Sequence, residues 1–246
     1  MEQALSKSCN WFFYEVGDRL TNEMLDSTAR DFGLGEHTGV ELYEEIGFRA
    51  NPATKEKLYN GVAANWNPGD QILAAIGQSE NLFTPMQLAS YAATLASGGT
   101  RYACTFLDRV VAADYSKLVK ETVPEVLSTV KMSPETVAAI YEGMNDTTHT
   151  GSASLYYHIG EDAWYNQHRD IEVCAKTGTA EHGSGGSNHG SFVCFAPMED
   201  PEIAVAVYIE HGAQGGYGSN VANAIMDVYF SGDQASDLVT YENRVG

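Results

Sequence analysis

The 246-residue sequence is 43% hydrophobic, enough for one large domain with a substantial core. Its 14 basic and 33 acidic residues give a formal net charge of −19, which argues against nucleic acid or an anionic membrane surface as a partner. The polar start MEQALSKSCNWFFYEVG does not resemble a signal peptide or a membrane span, and the acidic balance suits an extracytoplasmic or salt-tolerant setting.

Two segments carry the start signals of α-helices. In TPMQLASYAATLASGG, Thr84 suits the N-cap, a proline follows at the first helical position, and Gln87 can bond back to the cap. This pattern predicts a helix over residues 85–97. SPETVAAIYEGM repeats it with Ser133 as the cap and predicts a helix over residues 134–144. The rest of the first hundred residues is typical of helices and connecting loops.

The pattern changes in the C-terminal part of the chain. Three runs rich in β-branched and aromatic residues occupy 171–180, 190–198 and 202–212, and Gly-rich or Glu-Asp-Pro turns separate them. They predict three antiparallel strands. GSNVANAIMDVYF, residues 218–230, returns to helical spacing with Ser219 as its cap, and predicts a helix packed on the sheet. The fold class is therefore mixed α/β (α+β).

One lysine stands out among the predicted strands. Side chains alternate along VCAKTG, so Lys176 projects from the face opposite its apolar neighbours, while Gly178 lets a second backbone or a ligand approach closely. An ammonium flanked by the hydroxyls of Thr177 and Thr179 is a good receptor for a carboxylate or an amide. The alternative is an edge-strand lysine that only discourages aggregation.

A second motif lies at the other end of the chain. Residues 8–10 read Ser-Cys-Asn, an S-x-N triplet formed by Ser8 and Asn10, and an aromatic run follows it. Together with S-x-x-K, an S-x-N-like triplet and K-T-G form the signature set of serine enzymes that interact with penicillin. Two of these three elements are present in that order.

These motifs, with the segments between them, resemble the transpeptidase domain of class B penicillin-binding proteins. The resemblance extends over nearly the whole chain, and its most specific part is the combination of GDQ, AIGQ and TPMQLA with KTGTAE. It implies a partial penicillin-binding or serine β-lactamase-like fold over residues 1–246. It also implies a mainly helical part at 1–170, a strand and helix part at 171–230, and a tail at 231–246.

The resemblance also implies roles for the site residues. Ser8 passes a proton between the substrate amine and the general base, and Asn10 holds the catalytic lysine and the substrate backbone. Lys176 is the cation of the cleft, and Thr177 and Thr179 bind the terminal carboxylate of a peptide. The backbone N–H of Thr179 donates to an oxyanion, an interaction worth about 3 kcal/mol of transition-state stabilisation. Segment 177–179, which includes the glycine, is the substrate-binding wall.

The nucleophile of this family is a serine at a helix N-terminus with a lysine one turn later. The single literal match, Ser128 to Lys131, follows the S-x-N triplet instead of preceding it. It also comes before Ser133-Pro134, whose proline disfavours a helix at this point. We therefore expect no nucleophile in this chain: a fragment that is inactive alone, with an exposed sheet edge or apolar face that favours self-association.

The implied function is D,D-transpeptidation of peptidoglycan, on the outer face of the bacterial cytoplasmic membrane and without a cofactor. The implied partners are peptidoglycan stem peptides, β-lactam antibiotics and cell-wall synthesis proteins, and no nucleic acid. Two alternatives remain open: a serine β-lactamase or β-lactam sensor of the same fold, and a non-catalytic scaffold that has lost its nucleophile.

Cysteines and histidines give weaker signals. Four cysteines occur without a metal-binding spacing, and Cys174 and Cys194, in adjacent predicted strands, are candidates to face each other. His182 and His189 bracket GSGGSN, and two histidines on one loop are a weak zinc signal without further ligands. Surface-loop residues are the simpler interpretation, and we expect no metal site.

Overall fold

The computed structural model describes residues 1–160, 163–181 and 186–232. Helices dominate the first hundred residues, as the sequence pattern predicts. A short 3-10 helix at Gly61–Ala64 is placed among them. The α-helices of this part are α1 (Glu2–Ser6), α2 (Asn10–Arg19), α3 (Asn22–Asp31), α4 (Pro52–Leu58), α5 (Pro68–Ala74) and α6 (Pro85–Ala96).

The start of α6 is the one that the sequence predicts. The Gln87 N–H donates to Thr84 Oγ1 at 3.2 Å, and the Thr84 N–H donates to Gln87 Oε1 at 3.1 Å. This reciprocal pair satisfies two backbone donors that a helix start would otherwise leave unpaired. The helix prediction at this position is confirmed, with the end one residue earlier than expected.

Residues 100–129 form two small antiparallel sheets that the sequence pattern did not predict, and we call this segment the hairpin arm. Every residue of the inner pair is exposed, so those strands lack the alternation of buried and exposed residues by which a strand is recognised in a sequence. The outer pair is β1 (Thr100–Tyr102) with β4 (Val126–Thr129), and the inner pair is β2 (Arg109–Val111) with β3 (Leu118–Glu121).

The helix after the hairpin arm, α7, spans Pro134–His149. Ser133 caps it, because its Oγ accepts the N–H of Thr136 at 3.2 Å. The predicted start is confirmed, but the predicted end at residue 144 is wrong by five residues. The last turns contain Thr147 and Thr148, which are fully buried and donate their hydroxyls to carbonyls of the same helix. The helix therefore continues through buried polar residues, beyond the end of the apolar stripe from which it was predicted.

Two short helices follow, and then the central sheet. They are α8 (Ser154–His158) and α9 (Trp164–Gln167). The three predicted antiparallel strands are confirmed, with bounds that differ from the predicted ones by at most three residues, and the predicted helix on the sheet is confirmed as well. The sheet has the order β5 (Cys174–Ala180), β6 (His189–Ala196) and β7 (Ile203–Ile209), and the helix is α10 (Gly218–Ser231).

Helices cover both faces of the central sheet. On one face, α10 packs on β6 and β7, and α8 and α9 complete the apolar cluster. On the other face, α6 packs on β6 and β7, and α7 packs on β5. The first cluster includes Tyr157, Trp164, Val173, Ala175, Phe192, Cys194, Ala222 and Met226, and the second includes Phe32, Leu95, Met144, Cys174 and Phe195.

The sheet register decides between the alternatives for the two strand cysteines. Cys174 pairs with Phe195, and Ala175 pairs with Cys194, so the two cysteines lie on opposite faces of the sheet. Both are buried free thiols. They do not face each other.

The sequence pattern predicts Ser219 as the N-cap of the last helix, and this prediction is wrong. Tyr217 holds the N-cap position, a 3-10 turn at Gly215–Tyr217 leads directly into α10, and Ser219 lies inside the first turn. The hydroxyl of Ser219 is buried and donates to the Gly216 carbonyl at 2.6 Å. The 3-10 turn before α10 thus takes the place of a side-chain cap. For this reason the sequence pattern assigned the cap to the wrong residue. Over the described residues, no helix is long and apolar enough to cross a membrane.

Candidate active site

The site is built on β5, whose alternation is the one predicted from VCAKTG. Val173 and Ala175 enter the apolar cluster under α10, whereas Lys176 projects from the opposite face. Its ammonium donates to Ser8 Oγ at 2.8 Å and to the carbonyl of Thr177 at 2.8 Å. The fold therefore joins the two sequence motifs through a direct hydrogen bond between residues 168 positions apart.

Burial changes the pKa of the Lys176 ammonium. Desolvation lowers the pKa of Lys176 to about 8, because a partly buried ammonium loses hydration energy. At neutral pH the side chain is still mostly protonated. The site thus presents a cation that can bind an anionic group and that loses its proton only slightly above neutral pH.

Ser8 lies in the link between α1 and α2, in a left-handed backbone conformation with φ +53°. Such a conformation is uncommon for a residue with a side chain, and is retained where the surrounding structure enforces it. Helix α1, which leads into Ser8, packs closely on α7: a Cβ on Gly143 would lie 3.0 Å from Leu5. Asn10 begins α2 with an exposed side chain. In the described part of the chain, no hydrogen bond joins the Asn10 amide to Lys176.

The loop after α7 also reaches the site, and the sequence pattern gave no sign of it. Ser152 Oγ lies 2.7 Å from Thr177 Oγ1, and either atom can be the donor. The Ser152 N–H donates to the Ser6 carbonyl at 3.1 Å. Ser152 thereby connects strand β5 with the segment that carries Ser8. A serine of the sequence TGSAS carries no motif, so only the fold reveals its place.

The glycine of K-T-G permits a close approach of backbone, as its sequence context predicts. A Cβ on Gly215 would lie 2.2 Å from the Gly178 carbonyl oxygen, and one on Gly178 would lie 2.3 Å from Ser191 Oγ. The Gly215 N–H points to Thr179 Oγ1 at 3.4 Å. The Gln78 amide donates to the Thr179 carbonyl at 3.1 Å. Gln78 and Gly215 are therefore two further residues at the site that the sequence interpretation missed.

The remaining sequence candidates lie elsewhere. Ser128 is on strand β4, where its hydroxyl donates to the Asp31 carbonyl at 2.7 Å, so the Ser-Thr-Val-Lys run is not at a helix N-terminus. His189 begins β6, and its Nδ1 accepts the N–H of His211 at 3.1 Å. His182 lies outside the described residues. Within residues 1–160, 163–181 and 186–232, no three histidine, cysteine or carboxylate side chains could hold a metal ion.

This arrangement defines a class of site. The edge strand of the sheet carries a lysine, a threonine, a glycine and a second threonine in succession, and a serine from a distant segment is hydrogen-bonded to the lysine. Such a cleft can hold an extended peptide with a terminal carboxylate and can relay a proton between hydroxyl and amine groups. Serine acyl-transfer enzymes of the penicillin-interacting type have this signature.

Comparison with known proteins gives the family. The model of the penicillin-binding protein transpeptidase domain matches residues 1–229, so the chain belongs to that family. The peptidoglycan D,D-transpeptidase MrdA of Acinetobacter baumannii is 28% identical over 93% of this chain and 34% of its own length. PbpA of Mycolicibacterium smegmatis is 27% identical over 86% of this chain and 39% of its own length. The chain spans about a third of the length of these curated relatives.

Solved structures give the same fold. PBPA of Mycobacterium tuberculosis matches with a TM-score of 0.74 and 25% identity, over 92% of this chain and 50% of that one. PBP2 of Helicobacter pylori matches with a TM-score of 0.73 and 26% identity, over 95% of this chain and 40% of that one. The mixed fold class and the resemblance to class B penicillin-binding proteins are thus confirmed.

Proposed function

We propose that this chain is the K-T-G and S-x-N part of a peptidoglycan D,D-transpeptidase that works through a serine acyl-enzyme. One observation carries the proposal: the hydrogen bond of 2.8 Å from Lys176 to Ser8, beside the paired hydroxyls of Thr177 and Ser152. The names of the relatives, which are peptidoglycan D,D-transpeptidases, agree with it. The substrates are peptidoglycan stem peptides, and β-lactams bind in their place, as in the acyl-enzyme complex of the M. tuberculosis structure with ceftriaxone.

In this proposal each residue acts on a stated atom. Lys176 and the hydroxyls of Thr177 and Thr179 bind the terminal carboxylate, and the glycine between them keeps the strand edge open to an extended peptide. The Thr179 N–H donates to the oxyanion that forms when the peptide carbonyl is attacked. Ser8 accepts a hydrogen bond from the Lys176 ammonium, so its own hydroxyl hydrogen is available to the leaving amine.

We further propose that the nucleophilic serine is not among the residues of this sequence, and that Asn10 turns toward the lysine when the nucleophile segment is present. The exposed position of Asn10 at the start of α2 leaves room for that movement. The proposed location is the outer face of the cytoplasmic membrane. A PBP2 of H. pylori has been solved in complex with MreC, and a cell-wall synthesis protein is the proposed type of partner here too.

Peptide binding tests the cleft. The isotopically labelled chain is titrated with a tripeptide that ends in D-Ala-D-Ala with a free carboxylate, and amide shifts are followed by NMR. We expect shifts centred on Thr177, Gly178 and Thr179, and weaker ones after Lys176→Met. An absence of shifts on β5 at millimolar peptide would overturn the proposed substrate class and leave the non-catalytic scaffold.

Penicillin labelling tests the missing nucleophile. A fluorescent penicillin is incubated with the purified chain, and covalent adducts are sought by mass spectrometry. We expect no adduct. An adduct on any serine of the chain, Ser128 included, would show that the nucleophile is present after all.

A further inference from the structure

The turn after α7, residues 150–152, touches both segments of the site, and we call it the bridge loop. Its first residue, Thr150, offers its carbonyl to the ammonium of Lys7. Its last, Ser152, donates its N–H to the Ser6 carbonyl and pairs its hydroxyl with that of Thr177. The bridge loop therefore connects the segment that carries Ser8 with strand β5.

The middle residue of the bridge loop permits this closeness. A Cβ on Gly151 would lie 2.3 Å from the Ser6 carbonyl oxygen and 2.6 Å from Thr147 Cα. Real Cβ contacts are never that short, so any larger residue would move the loop away from Ser6. The contact between Ser152 and Thr177 thus depends on a glycine that stands immediately before the serine.

The single hydrogen on each hydroxyl decides which residue is the donor in the contact between Ser152 and Thr177. A threonine hydroxyl has one hydrogen to donate and two lone pairs to accept, whereas a carboxylate only accepts. If Thr177 binds a carboxylate, its single hydrogen must point to that carboxylate. The hydrogen in the 2.7 Å contact then comes from Ser152, and Thr177 accepts it. A hydroxyl that accepts a hydrogen bond also becomes a stronger donor.

We propose that Ser152 is a positioning residue for carboxylate recognition: it donates to Thr177 Oγ1, so that the Thr177 hydroxyl is held as a donor to the peptide carboxylate. The proposal rests on the proposed function above, in which Thr177 binds that carboxylate. Ser152 acts through Thr177 and need not touch the peptide. Its role is to orient the Thr177 hydroxyl as a donor before the ligand arrives, which lowers the entropy cost of binding.

A role in stability alone is distinguishable from this one. Ser152 is exposed, so its hydroxyl contact adds little to the free energy of unfolding. Ser152→Ala also keeps the backbone bond to Ser6. Ser154, two residues further on, donates its hydroxyl to the Gly151 carbonyl at 3.0 Å and does not contact Thr177, so Ser154→Ala is a matched control.

The experiment measures the Kd of two peptides by NMR titration of the full chain. Both end in D-Ala-D-Ala, one with a free carboxylate and the other with a carboxamide. We expect Ser152→Ala to weaken binding of the carboxylate peptide roughly three- to tenfold, the range for the loss of one hydrogen bond between neutral groups. Binding of the carboxamide peptide should change by less than about twofold. Ser152→Thr should restore the carboxylate preference, and Ser154→Ala should leave it unchanged.

Two further variants test whether Ser152 acts as a hydrogen-bond donor and whether it acts through Thr177. Ser152→Cys retains the size of the side chain but is a weak donor, and should give an intermediate loss. On a Thr177→Ala background, Ser152→Ala should have no further effect, because the group through which it acts is gone. An independent loss on that background would overturn the proposal.

The remaining outcomes separate this proposal from the proposed function. An equal loss for both peptides in Ser152→Ala, or an undiminished carboxylate preference, overturns the positioning role while peptide binding stands. A wild-type chain that binds the two peptides equally, or binds neither on β5, overturns the carboxylate site itself.

Discussion

The central sheet and the hairpin arm are both antiparallel β-structure, yet they differ in what covers them. In β6 the side chains are buried or half-buried throughout, and helices pack on both faces of the sheet. In β3 every residue is exposed, and Val119 has 60% of its surface in water. Strand pairing is antiparallel in both regions, although it shifts register between Val110 and Val111 in the arm, and the main difference between them is the amount of apolar surface that is buried.

This difference explains where the site lies. An isolated two-stranded sheet is marginally stable in water, whereas a strand packed in a sheet between two helical layers holds its side chains in place. Lys176, Thr177 and Thr179 extend from such a strand, just beyond the residues that enter the core. The site is therefore carried by a strand that packs between two helical layers, whereas the inner pair of the hairpin arm is exposed.

The largest effect should come from the core of the sheet. Phe195 is fully buried, and its ring lies 4.9 Å from that of Tyr141. We expect Phe195→Ala to lower the free energy of unfolding by about 3–5 kcal/mol, through lost burial and the cavity left behind. Urea denaturation checks this value, with Val119→Ala in the hairpin arm as the control at about 0.5 kcal/mol or less. Similar losses for both variants would contradict the comparison.

The second-largest effect on stability should come from the close backbone contact between Gly215 and Gly178 of the K-T-G motif. In Gly215→Ala the new Cβ would meet the carbonyl oxygens of Gly178 and Ser191 at 2.2 and 2.4 Å, so the strand or the turn must shift. We expect a loss of roughly 2–3 kcal/mol in the free energy of unfolding, and weaker peptide binding. Gly69→Ala is the control, since a Cβ there has no neighbour within 4 Å and α5 gains helix propensity. Wild-type stability in Gly215→Ala would show that the contact is not required.

A smaller effect with a pH signature belongs to Lys176. Its pKa is lowered to about 8, below the ordinary value of 10.5, so the native state binds fewer protons than the unfolded state between these values. The contribution of Lys176 to the free energy of unfolding of the wild type therefore becomes more favourable as the pH rises from about 8 to 10.5. We expect Lys176→Met to stabilise the chain by roughly 1–2 kcal/mol at pH 7, because the side chain is only partly buried. The gain should shrink as the pH approaches 10.5.

Denaturation at several pH values checks this, with the exposed Lys131→Met as the control. A gain that is independent of pH would mean that the charge of Lys176 is not the cause. If the proposed carboxylate site is correct, peptide affinity in the wild type should fall as the pH rises through about 8, because the Lys176 cation is then lost.

The smallest effect should be in the hairpin arm. Leu118 is 52% exposed on β3, so Leu118→Ser removes little buried surface. We expect a change of about 0.5 kcal/mol or less in the free energy of unfolding and an unaltered peptide Kd. A loss above about 1.5 kcal/mol would show that the arm has a packed partner in solution, and sedimentation would then identify a second copy of the chain.

Much of the fold and part of the site are predictable from local sequence. The capping pairs of α6 and α7, the three strands of the central sheet and the alternation that sets Lys176 apart from Val173 and Ala175 all follow from neighbouring residues, because they depend on backbone hydrogen bonds and on side-chain periodicity. The motifs themselves also indicated Ser8 and Lys176, which the fold joins by a hydrogen bond.

Other features depend on residues distant in sequence, and only the tertiary structure decides them. The end of α7 lies where packing buries Thr148 against Tyr165, whose hydroxyl is 2.8 Å from that of Thr148. Ser152 and Gln78 enter the site because separate segments meet at β5. The local sequence pattern indicates which side chains share an element. Contacts such as that between Ser152 and Thr177, which lie 25 residues apart, are set by how the elements pack.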